Sequence, residues 1–421
     1  MNLKSFTMPE FVEAYMGDKL AEVLPEGART RLDEAFKNIY SNAETRNAFE
    51  NALINLISRV VAEADTGFEN PLGKLEGDIL PYGSTIETVY ADVPEALEFG
   101  KECDQFKKFG QDVKVLFHSE DFQLVYPLTI TSEELRKAFL NEGGLSQFVN
   151  AKIQSLYNAK EFTNYDVEKN VFTHDVAGAQ VNCYDADKQS AYANVAKAIK
   201  KASSTFEQPS RKYNQMGVKR TTPKARQICL INSSFEAESD VDLLSAAYNL
   251  DKLEAKGVEF VRVDGFEEEG LVAVLFDRDM LEWHDTLNMQ TEAFNALCLY
   301  RNAFLHHWGM RSVKLYANCV KFYNIEAKDA ITVTPDKGTT ADLKIDGVAW
   351  AVANNYTAFD GEIIVLPKLD DITVSAKTYE VTGYTIGGVS YDIGARVKFT
   401  GATTIAVVTK EKTRKNRVTI S

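Results

Sequence analysis

"NPLGKLEGDILPYGSTIETVYAD", residues 70–92, is the stretch that decides how this chain folds. Five glycine and proline residues lie within its first fourteen positions; they exclude a helix and favour an extended, turning segment. From Ser84 onward the residues are strand-forming and alternate in the manner of a β-strand. Such a segment is either a lid over a site or an arm that reaches another molecule. A lid would indicate an enzyme, whereas an arm would indicate a structural subunit of a larger assembly.

A second strand-like stretch, "DVKVLFHSEDFQLVYPLTI", residues 112–130, predicts the return of this segment. In it Val113, Val115 and Phe117 alternate with polar residues such as Lys114. The two stretches together predict a long two-stranded hairpin. Because an isolated hairpin is only marginally stable in water, this one must pack against something else.

Length and composition limit the class of protein. At 421 residues the chain is long enough for two or three domains, and a hydrophobic fraction of 45% is that of a globular protein with buried cores. The net charge of −14 argues against a protein that coats nucleic acid or an anionic membrane surface. No run of about 18 apolar residues exists to span a bilayer, and charged residues interrupt any N-terminal signal peptide. We expect no membrane partner.

The cysteines predict neither a zinc site nor a disulfide framework, because they are scattered, odd in number and form no CxxC pair. We expect reduced, mostly buried thiols in a cytoplasmic compartment. The five cysteines are Cys103, Cys183, Cys229, Cys298 and Cys319.

Helical and mixed patterns occupy the rest of the first 325 residues. The residues before 68 read as amphipathic helices, and "LSQFVNAKIQSLYNAKEF", residues 145–162, predicts a long helix. Residues 210–281 alternate strand, helix and strand, and Ser239 and Asp242 have the spacing of a helix capping box. These patterns predict an α+β fold.

The composition changes after Lys328. Short strand-like runs such as "ITVTP" and "GEIIVLP" are separated by Gly, Asp and Pro turns at close spacing. This pattern predicts a separate all-β, sandwich-like module over residues 328–421. We expect a chain that ends after Tyr323 to fold without it. Trp350, Tyr356 and Phe359 are candidates for solvent-facing aromatic residues, although for Trp350 we favour the alternative, a buried place in the module core.

One stretch suggests catalysis. In "LVAVLFDRD", residues 271–279, an apolar strand ends in Asp277 and Asp279, like the carboxylate pair that holds a divalent ion in nucleotide-sugar glycosyltransferases. His284 and Asp285 could add ligands. Aspartates at strand ends are also common as turn and cap residues. A transferase of that type begins with repeated strand–helix units, whereas this chain begins with helices and a hairpin, so we expect no catalytic metal.

Two further groups of residues have weak functional signals. His306 and His307 are adjacent, so they point in different directions and are expected to be partly buried and hydrogen-bonded rather than to share a metal. A basic loop could contact phosphates, or it could be solvated or paired with acidic neighbours. Its basic residues are Arg211, Lys212, Lys219, Arg220, Lys224 and Arg226.

Several motifs resemble a known family in order and spacing. The run at 70–92 followed by "VKVLFH" is similar to the extended-loop region of the major capsid proteins of small short-tailed phages, the phi-twenty-nine group. "SRKYNQMGV", "EAESDVDLLSAAYN", "VDGFEEEGLVAVLFDRDM" and "SVKLYANCVKFY" follow in the order of that family. The resemblance covers residues 68–325 and implies the Hong-Kong-97-type capsid fold.

The resemblance also implies a division of the chain and an inter-subunit surface. The parts are an N-terminal helical arm (1–67), an extended-loop hairpin (68–130), a peripheral domain with a spine helix (131–205), an axial domain (206–281), a return to the peripheral domain (282–327) and the C-terminal β-module (328–421). The residues expected to contact a neighbouring subunit are Pro81, Tyr82, Ile86, Val89, Tyr90, Val113, Val115 and Phe117.

The implied function is that of a major capsid protein without enzymatic activity or cofactor. It assembles with itself as pentamers and hexamers into the icosahedral or prolate head of a tailed phage, around double-stranded DNA. A scaffolding protein, the portal and packaged DNA are further expected partners. The expected location is the virion, after synthesis in the host bacterial cytoplasm. The alternatives are a metal-dependent glycosyltransferase with a carbohydrate-binding β-module, and a host-surface adhesin built on that module.

Overall fold

The computed structural model describes residues 68–91, 93–94, 113–131, 133–134, 144–237, 257–295, 300–350 and 356–412. The predictions that lie outside these ranges concern the helices before residue 68, the capping box at Ser239 and Asp242, and the burial of Cys103 and Cys298. Within them the chain is α+β, as predicted.

The elements up to residue 323 include two long helices and ten strands among the described residues. The helices are α1 (Gly144–Asn170) and α2 (Lys188–Phe206). The strands are β1 (Ile86–Ala91), β2 (Val113–His118), β3 (Phe122–Thr131), β4 (Ala179–Asn182), β5 (Gln227–Asn232), β6 (Glu259–Val263), β7 (Leu271–Asp277), β8 (Leu281–Asn295), β9 (Tyr300–Val313) and β10 (Cys319–Tyr323).

A five-stranded mixed sheet in the order β4-β10-β7-β5-β6 forms the centre of this part. All seven residues of β7 are buried, because the sheet is covered on both faces. This explains why the sequence of β7 is a continuous apolar run. One face packs against α2, through Tyr192, Val195, Ile199 and other residues at the 3–4 spacing of one helix face.

The helix α2 and the strand β4 lie in the segment that the sequence-based division gives to the peripheral domain. In the structure β4 pairs in parallel with β10, and α2 shares a core with β5, β7 and β10. Both elements therefore belong to the five-stranded sheet and its core, together with the strands β5 to β7 of residues 206–281. Local pattern cannot reveal this, because the pairing of β4 and β10 joins residues far apart in sequence.

A second, three-stranded antiparallel sheet in the order β3-β9-β8 lies beside α1. Its strands are long, and β8 and β9 form a hairpin that runs from the Leu281–Val313 pair to the Asn295–Tyr300 pair. The helix α1 is longer than the predicted stretch and ends at Asn170. Leu156 and Asn164 are buried on the same side of this helix.

The predicted hairpin exists, but its return strand divides into two. β1 and β2 pair in antiparallel fashion from Ile86–His118 to Ala91–Val113. After His118 the chain leaves β1, and β3 pairs along its whole length with β9. The sequence-based expectation of one continuous return over residues 112–130 is wrong in its second half, because β9 offers a partner of matching length that short-range pattern cannot show.

The first part of the opening stretch belongs to the core of the chain itself. Leu72 is fully buried and Leu75 nearly so, in a cluster that includes Phe172 and Trp283. Gly77 N donates to Trp283 O and Leu80 N donates to Asp285 O. The free arm expected over residues 68–130 therefore begins only after about residue 80.

The C-terminal module is all-β in its described residues. Its strands are β11 (Asp329–Pro335), β12 (Lys344–Ile345), β13 (Val348–Ala349), β14 (Tyr356–Ala358), β15 (Ile363–Val365), β16 (Ile372–Val374), β17 (Lys377–Ile386), β18 (Val389–Tyr391), β19 (Arg396–Lys398) and β20 (Thr403–Glu411). Six of them form one sheet around β17 and β20, while β12–β13 and β15–β19 are separate two-stranded ribbons. A core of its own includes Trp350, Tyr384 and Phe399.

Of the three aromatic residues considered for solvent exposure in this module, the prediction is wrong for Phe359. Trp350 is 6% exposed and packs edge-on against Tyr384. Phe359 is 2% exposed, and Tyr356 is half-buried. The alternative given for Trp350, a place in the module core, is the observed one. None of the described helices has the length and apolar character needed to cross a bilayer.

Candidate functional site

The hairpin of β1 and β2 has two unlike faces. One face carries Tyr90 and Lys114, which stand opposite each other in the register. The Tyr90 hydroxyl donates to Lys219 O at 2.9 Å, and its ring stacks on Tyr316 with centroids 5.2 Å apart. Lys114 Nζ donates to Met216 O at 2.7 Å. This face is therefore held against the part of the same chain that contains the five-stranded sheet, the three-stranded sheet and the helices α1 and α2, which we call the body.

The same face is also anchored at its base by His118. Its Nδ1 lies 2.5 Å from Ser312 Oγ on β9, and its Nε2 lies 3.0 Å from Thr88 Oγ1 on β1. Burial lowers the pKa of His118, although nearby Glu282 acts in the opposite direction. The neutral imidazole therefore joins the hairpin to the three-stranded sheet.

The other face of the hairpin is apolar and open. Val89 and Val115 are a register pair on it, and Val113 and Phe117 flank them along β2. Their exposed fractions are 57% for Val89, 41% for Val115, 55% for Val113 and 68% for Phe117. We call these four residues the apolar face. Nothing in the described chain covers it.

The remaining residues predicted for an inter-subunit surface lie near the hairpin but not on the apolar face. Pro81 and Tyr82 are exposed, and the Tyr82 ring lies 5.5 Å from the Trp308 ring. Ile86 is half-buried and points to the same side as Tyr90. Of the eight predicted residues, the structure thus brings four together on the open face and turns Ile86 and Tyr90 towards the body.

A buried ionic cluster holds the opening stretch to the body below the hairpin. Arg311 is almost fully buried and donates to Glu76 Oε1 at 2.8 Å, to Glu168 Oε1 at 2.9 Å and to Asp285 Oδ1 at 3.0 Å. Asn70 donates to the other oxygen of Glu168 at 2.9 Å. The cluster joins residues 70–76, α1, β8 and β9 through one guanidinium.

The cluster has more carboxylates than the single arginine can neutralise, and the pKa values respond in opposite directions. Burial raises the pKa of Glu168, and the neighbouring Glu76 carboxyl adds to this, against the influence of Arg311. Burial also acts to raise the pKa of Asp285, but His307, Lys160 and Arg311 outweigh it and the net pKa is lowered. Glu168 is thus the carboxyl that holds a proton most readily.

His307 belongs to this cluster and His306 does not. On β9 the two side chains point to opposite faces. His307 is fully buried with Nε2 3.0 Å from Asp285 Oδ2, and burial lowers its pKa despite that carboxylate. His306 Nε2 lies 2.9 Å from Thr291 Oγ1. The expectation of partly buried, hydrogen-bonded histidines holds for His306 and not for His307, which is fully buried and lies beside the Asp285 carboxylate without a regular hydrogen bond.

The predicted metal carboxylates form ion pairs instead. Asp277 is fully buried, and its Oδ2 accepts three hydrogen bonds. The donors are Arg226 Nη2 at 2.7 Å, Arg220 Nη2 at 3.2 Å and Thr222 Oγ1 at 2.9 Å. Asp279 lies 2.6 Å from Arg226. Asp277 also accepts from the Asp279 backbone N–H and so caps the strand end. Its oxygens are occupied by cations of the chain, and the transferase alternative is not supported.

The basic loop separates into paired and exposed residues. Arg220 and Arg226 neutralise Asp277, which confirms that these two pair with acidic neighbours. Lys224 Nζ lies 3.8 Å from Glu207. Arg211, Lys212 and Lys219 are exposed. Contact of this loop with phosphates stays a prediction.

The described cysteines are buried and free of disulfides, as predicted. Cys183, Cys229 and Cys319 lie in the core around the five-stranded sheet. Burial raises the pKa of the Cys183 thiol to about 11. Cys103 and Cys298 lie outside the described residues.

Sequence reasoning missed the Arg311 cluster. A signal for it exists in α1, where Leu156, Lys160, Asn164 and Glu168 follow one another at intervals of four residues. These positions share a helix face that begins apolar and continues polar. A polar continuation of a buried stripe indicates a buried polar partner, but the sequence does not show that this partner is Arg311, 143 residues away.

Comparison with known proteins shows the family to which the chain is similar. A family model described as Phi29-like phage major capsid protein matches residues 10–323. The major capsid protein of Bacillus phage PZA is 28% identical over 344 residues, which cover 79% of this chain and 76% of that protein. The major capsid protein of Bacillus phage B103 is 30% identical over 325 residues, with 75% and 72% covered.

Among solved structures, the capsid of Staphylococcus phage Andhra aligns with a TM-score of 0.45 and 10% identity, over 62% of this chain and 86% of that one. The family assignment does not rest on this distant likeness. The family match ends at Tyr323, six residues before β11, so the C-terminal module lies outside it. The matched length and the α+β architecture confirm the expected capsid fold class. The chain belongs to the family of Phi29-like phage major capsid proteins.

Proposed function

We propose that this major capsid protein builds the head shell of a tailed phage by packing the apolar face of its hairpin on a neighbouring copy of itself. The shell is assembled from pentamers and hexamers into an icosahedral or prolate head around double-stranded DNA. The protein is made in the bacterial cytoplasm and ends in the virion. It acts as a structural subunit without enzymatic activity.

The exposure of the apolar face is the observation that carries this proposal. Val89, Val113, Val115 and Phe117 are between 41% and 68% exposed. A two-stranded ribbon cannot cover its own outer face, and its inner face is already fixed to the body by Tyr90, Lys114 and His118. Contiguous apolar residues on a soluble protein mark an interaction surface. In a shell the adjacent surface is another copy.

The proposed division into domains follows the capsid architecture that the family resemblance implies. The hairpin is the extended loop, and α1 with the three-stranded sheet forms the peripheral domain with its spine helix. The five-stranded sheet with α2 forms the axial domain, which shifts β4, α2 and β10 into it relative to the sequence-based division. Scaffolding protein, portal and packaged DNA are the further partners proposed. Arg211, Lys212 and Lys219 are exposed on the basic loop, and phosphate is the group that such cations would contact.

Assembly of a charged variant tests the proposal. Val115→Asp places a carboxylate in the centre of the apolar face, and its burial against a neighbour would be unfavourable. We expect a folded subunit with an unchanged circular dichroism spectrum that forms no shells by sedimentation and electron microscopy. Val348→Asp is the matched control, because Val348 is 71% exposed in the C-terminal module. Shells of normal yield from Val115→Asp would refute the hairpin contact.

A further inference from the structure

The C-terminal module reaches into the core of the upstream body with one aromatic side chain. Phe359 follows β14 directly, is 2% exposed and belongs to the same core cluster as Leu72, Phe276 and Trp283. Its ring centroid lies 4.7 Å from that of Tyr323 at the end of β10. The preceding residue, Ala358, belongs to the core of the module. The chain thus passes from one core to the other between two adjacent residues.

An arginine of the module makes a second contact. Arg396, at the start of β19, binds Asp175 with two parallel bonds, Nη2 to Oδ1 at 2.7 Å and Nε to Oδ2 at 2.9 Å. Its Nη2 also donates to Ala177 O at 2.7 Å. The side chains are only 18% and 34% exposed. This paired geometry is the strongest form of an arginine–carboxylate contact.

A third contact links the module to a buried polar chain. Ile363 N, at the start of β15, donates to Gln180 Oε1 at 2.8 Å. The amide of Gln180 donates to the Tyr323 hydroxyl at 3.2 Å, and that hydroxyl donates to Glu268 at 2.8 Å. Glu268 in turn neutralises the buried Lys321, 2.6 Å away. The module is therefore connected, through Gln180, to the hydrogen-bonded polar groups of β10.

All three contacts meet the body at one side of the five-stranded sheet. Asp175 and Ala177 precede β4, Gln180 lies in it, and Tyr323 ends its neighbour β10. β4 is the edge strand of that sheet and has a hydrogen-bonded strand on one side only. Edge strands are the least protected part of a sheet and the part at which unwanted pairing begins.

We propose that Phe359, Ile363 and Arg396 form a clamp by which the C-terminal module holds the edge strand β4, and that the surface around Asp175 and Gln180 is the docking site for this module. The shell-forming part then depends on the module for the integrity of its main sheet. This differs from the expectation that a chain ending after Tyr323 folds unchanged, and it does not depend on the proposed hairpin contact. The module is a structural part of the subunit rather than a detachable decoration.

Hydrogen exchange of the full-length, unassembled subunit, followed by mass spectrometry, tests the clamp. Arg396→Gln removes the paired contact, and we expect amides of β4 to exchange about tenfold faster, as the loss of a charge-assisted contact predicts. Amides of β6, at the opposite edge of the same sheet, should be unchanged. Lys377→Gln is the matched control, because Lys377 forms an exposed ion pair with Glu411 inside the module.

A second variant tests whether the faster exchange comes from the lost contact rather than from the new side chain at position 396. Asp175→Asn removes the other partner, and the double variant should exchange no faster at β4 than the faster single variant, since each substitution breaks the same Arg396–Asp175 pair. Faster exchange confined to β4 in both single variants supports the clamp. Exchange at β4 equal to that of Lys377→Gln, or effects of the two substitutions that add fully, would overturn it.

Discussion

The hairpin and the C-terminal module both extend from the same body, and they are attached to it in opposite ways. The hairpin is fixed by polar contacts of Tyr90, Lys114 and His118 and leaves four apolar residues in solvent. The module buries most of its apolar residues in a core of its own and gives one phenylalanine to the body. Its exposed valines lie apart on four different strands; they are Val348, Val365, Val389 and Val408. An element that keeps apolar surface open has not completed its packing within the subunit. An element that encloses a core of its own and shares an aromatic side chain with the body is packed within the subunit.

This contrast predicts where substitutions have their effects. Changes on the apolar face should affect assembly and leave the subunit stable. Changes where the opening stretch and the module meet the body should affect the subunit itself. Four further substitutions test the contrast, beginning with the one of largest expected effect.

Arg311→Leu should cause the largest loss of stability. It leaves Glu76, Glu168 and Asp285 without their shared cation, and removal of one partner from a buried ionic group costs about 3–5 kcal/mol. The free energy of unfolding in urea measures it. Arg262→Leu is the control, because Arg262 is 57% exposed in its pair with Glu236 and its loss should cost less than about 1 kcal/mol. Equal losses for both variants would mean that the cluster does not hold the opening stretch.

Tyr90→Ala should loosen the hairpin without unfolding the body. It removes the ring contact with Tyr316 and the hydrogen bond to Lys219, together worth about 1–2 kcal/mol. Hydrogen exchange should rise about tenfold in β1 and β2 and stay constant in β7. Val89→Ala, on the apolar face of the same strand, should change neither. If Val89→Ala loosens the hairpin equally, the apolar face packs within the subunit and the contrast fails.

The dependence of subunit stability on pH should have two limbs with different origins. The raised pKa of Glu168 means that the folded state binds this proton more tightly than the unfolded state. Its contribution is complete below the pKa of an ordinary glutamate and is lost as pH rises through the raised value. The lowered pKa of Asp285 contributes stability that is present above an ordinary aspartate pKa and is lost as pH falls.

Glu168→Gln separates these limbs. The free energy of unfolding, measured by urea titration at a series of pH values, should lose the alkaline decline that Glu168 causes and keep the acid decline. Arg262→Leu again serves as the control with both limbs intact. An unchanged alkaline limb in Glu168→Gln would show that another group binds that proton.

Lys377→Gln should have the smallest effect. Lys377 and Glu411 are 57% and 48% exposed, and an exposed ion pair contributes less than about 1 kcal/mol. The midpoint of thermal unfolding should therefore stay within experimental error of the wild type. A clear fall would show that surface charges of the module, and not only the clamp, stabilise the subunit.

Much of the fold was predictable from local pattern. The hairpin strands, the long helix α1, the buried strand β7 and the all-β module each have a periodicity or turn spacing that one segment determines by itself. The assignment to a capsid family came from motif order, which also is a property of the sequence. The buried, unpaired cysteines followed from their spacing.

Other features required the tertiary structure because they join residues distant in sequence. β3 has the pattern of a hairpin return, and only the presence of β9 turns it away from β1. By sequence, Asp277 could hold a metal, although we expect none, and the sequence does not show which group it binds instead; the fold decides by placing Arg226 2.7 Å away. Likewise Phe359 is apolar enough for either core, and the path of the chain between the module and β10 determines which one buries it. Sequence determined which segments form strands and helices, since that depends on neighbours along the chain; the tertiary structure decided their partners, since contact energy depends on what lies close in space.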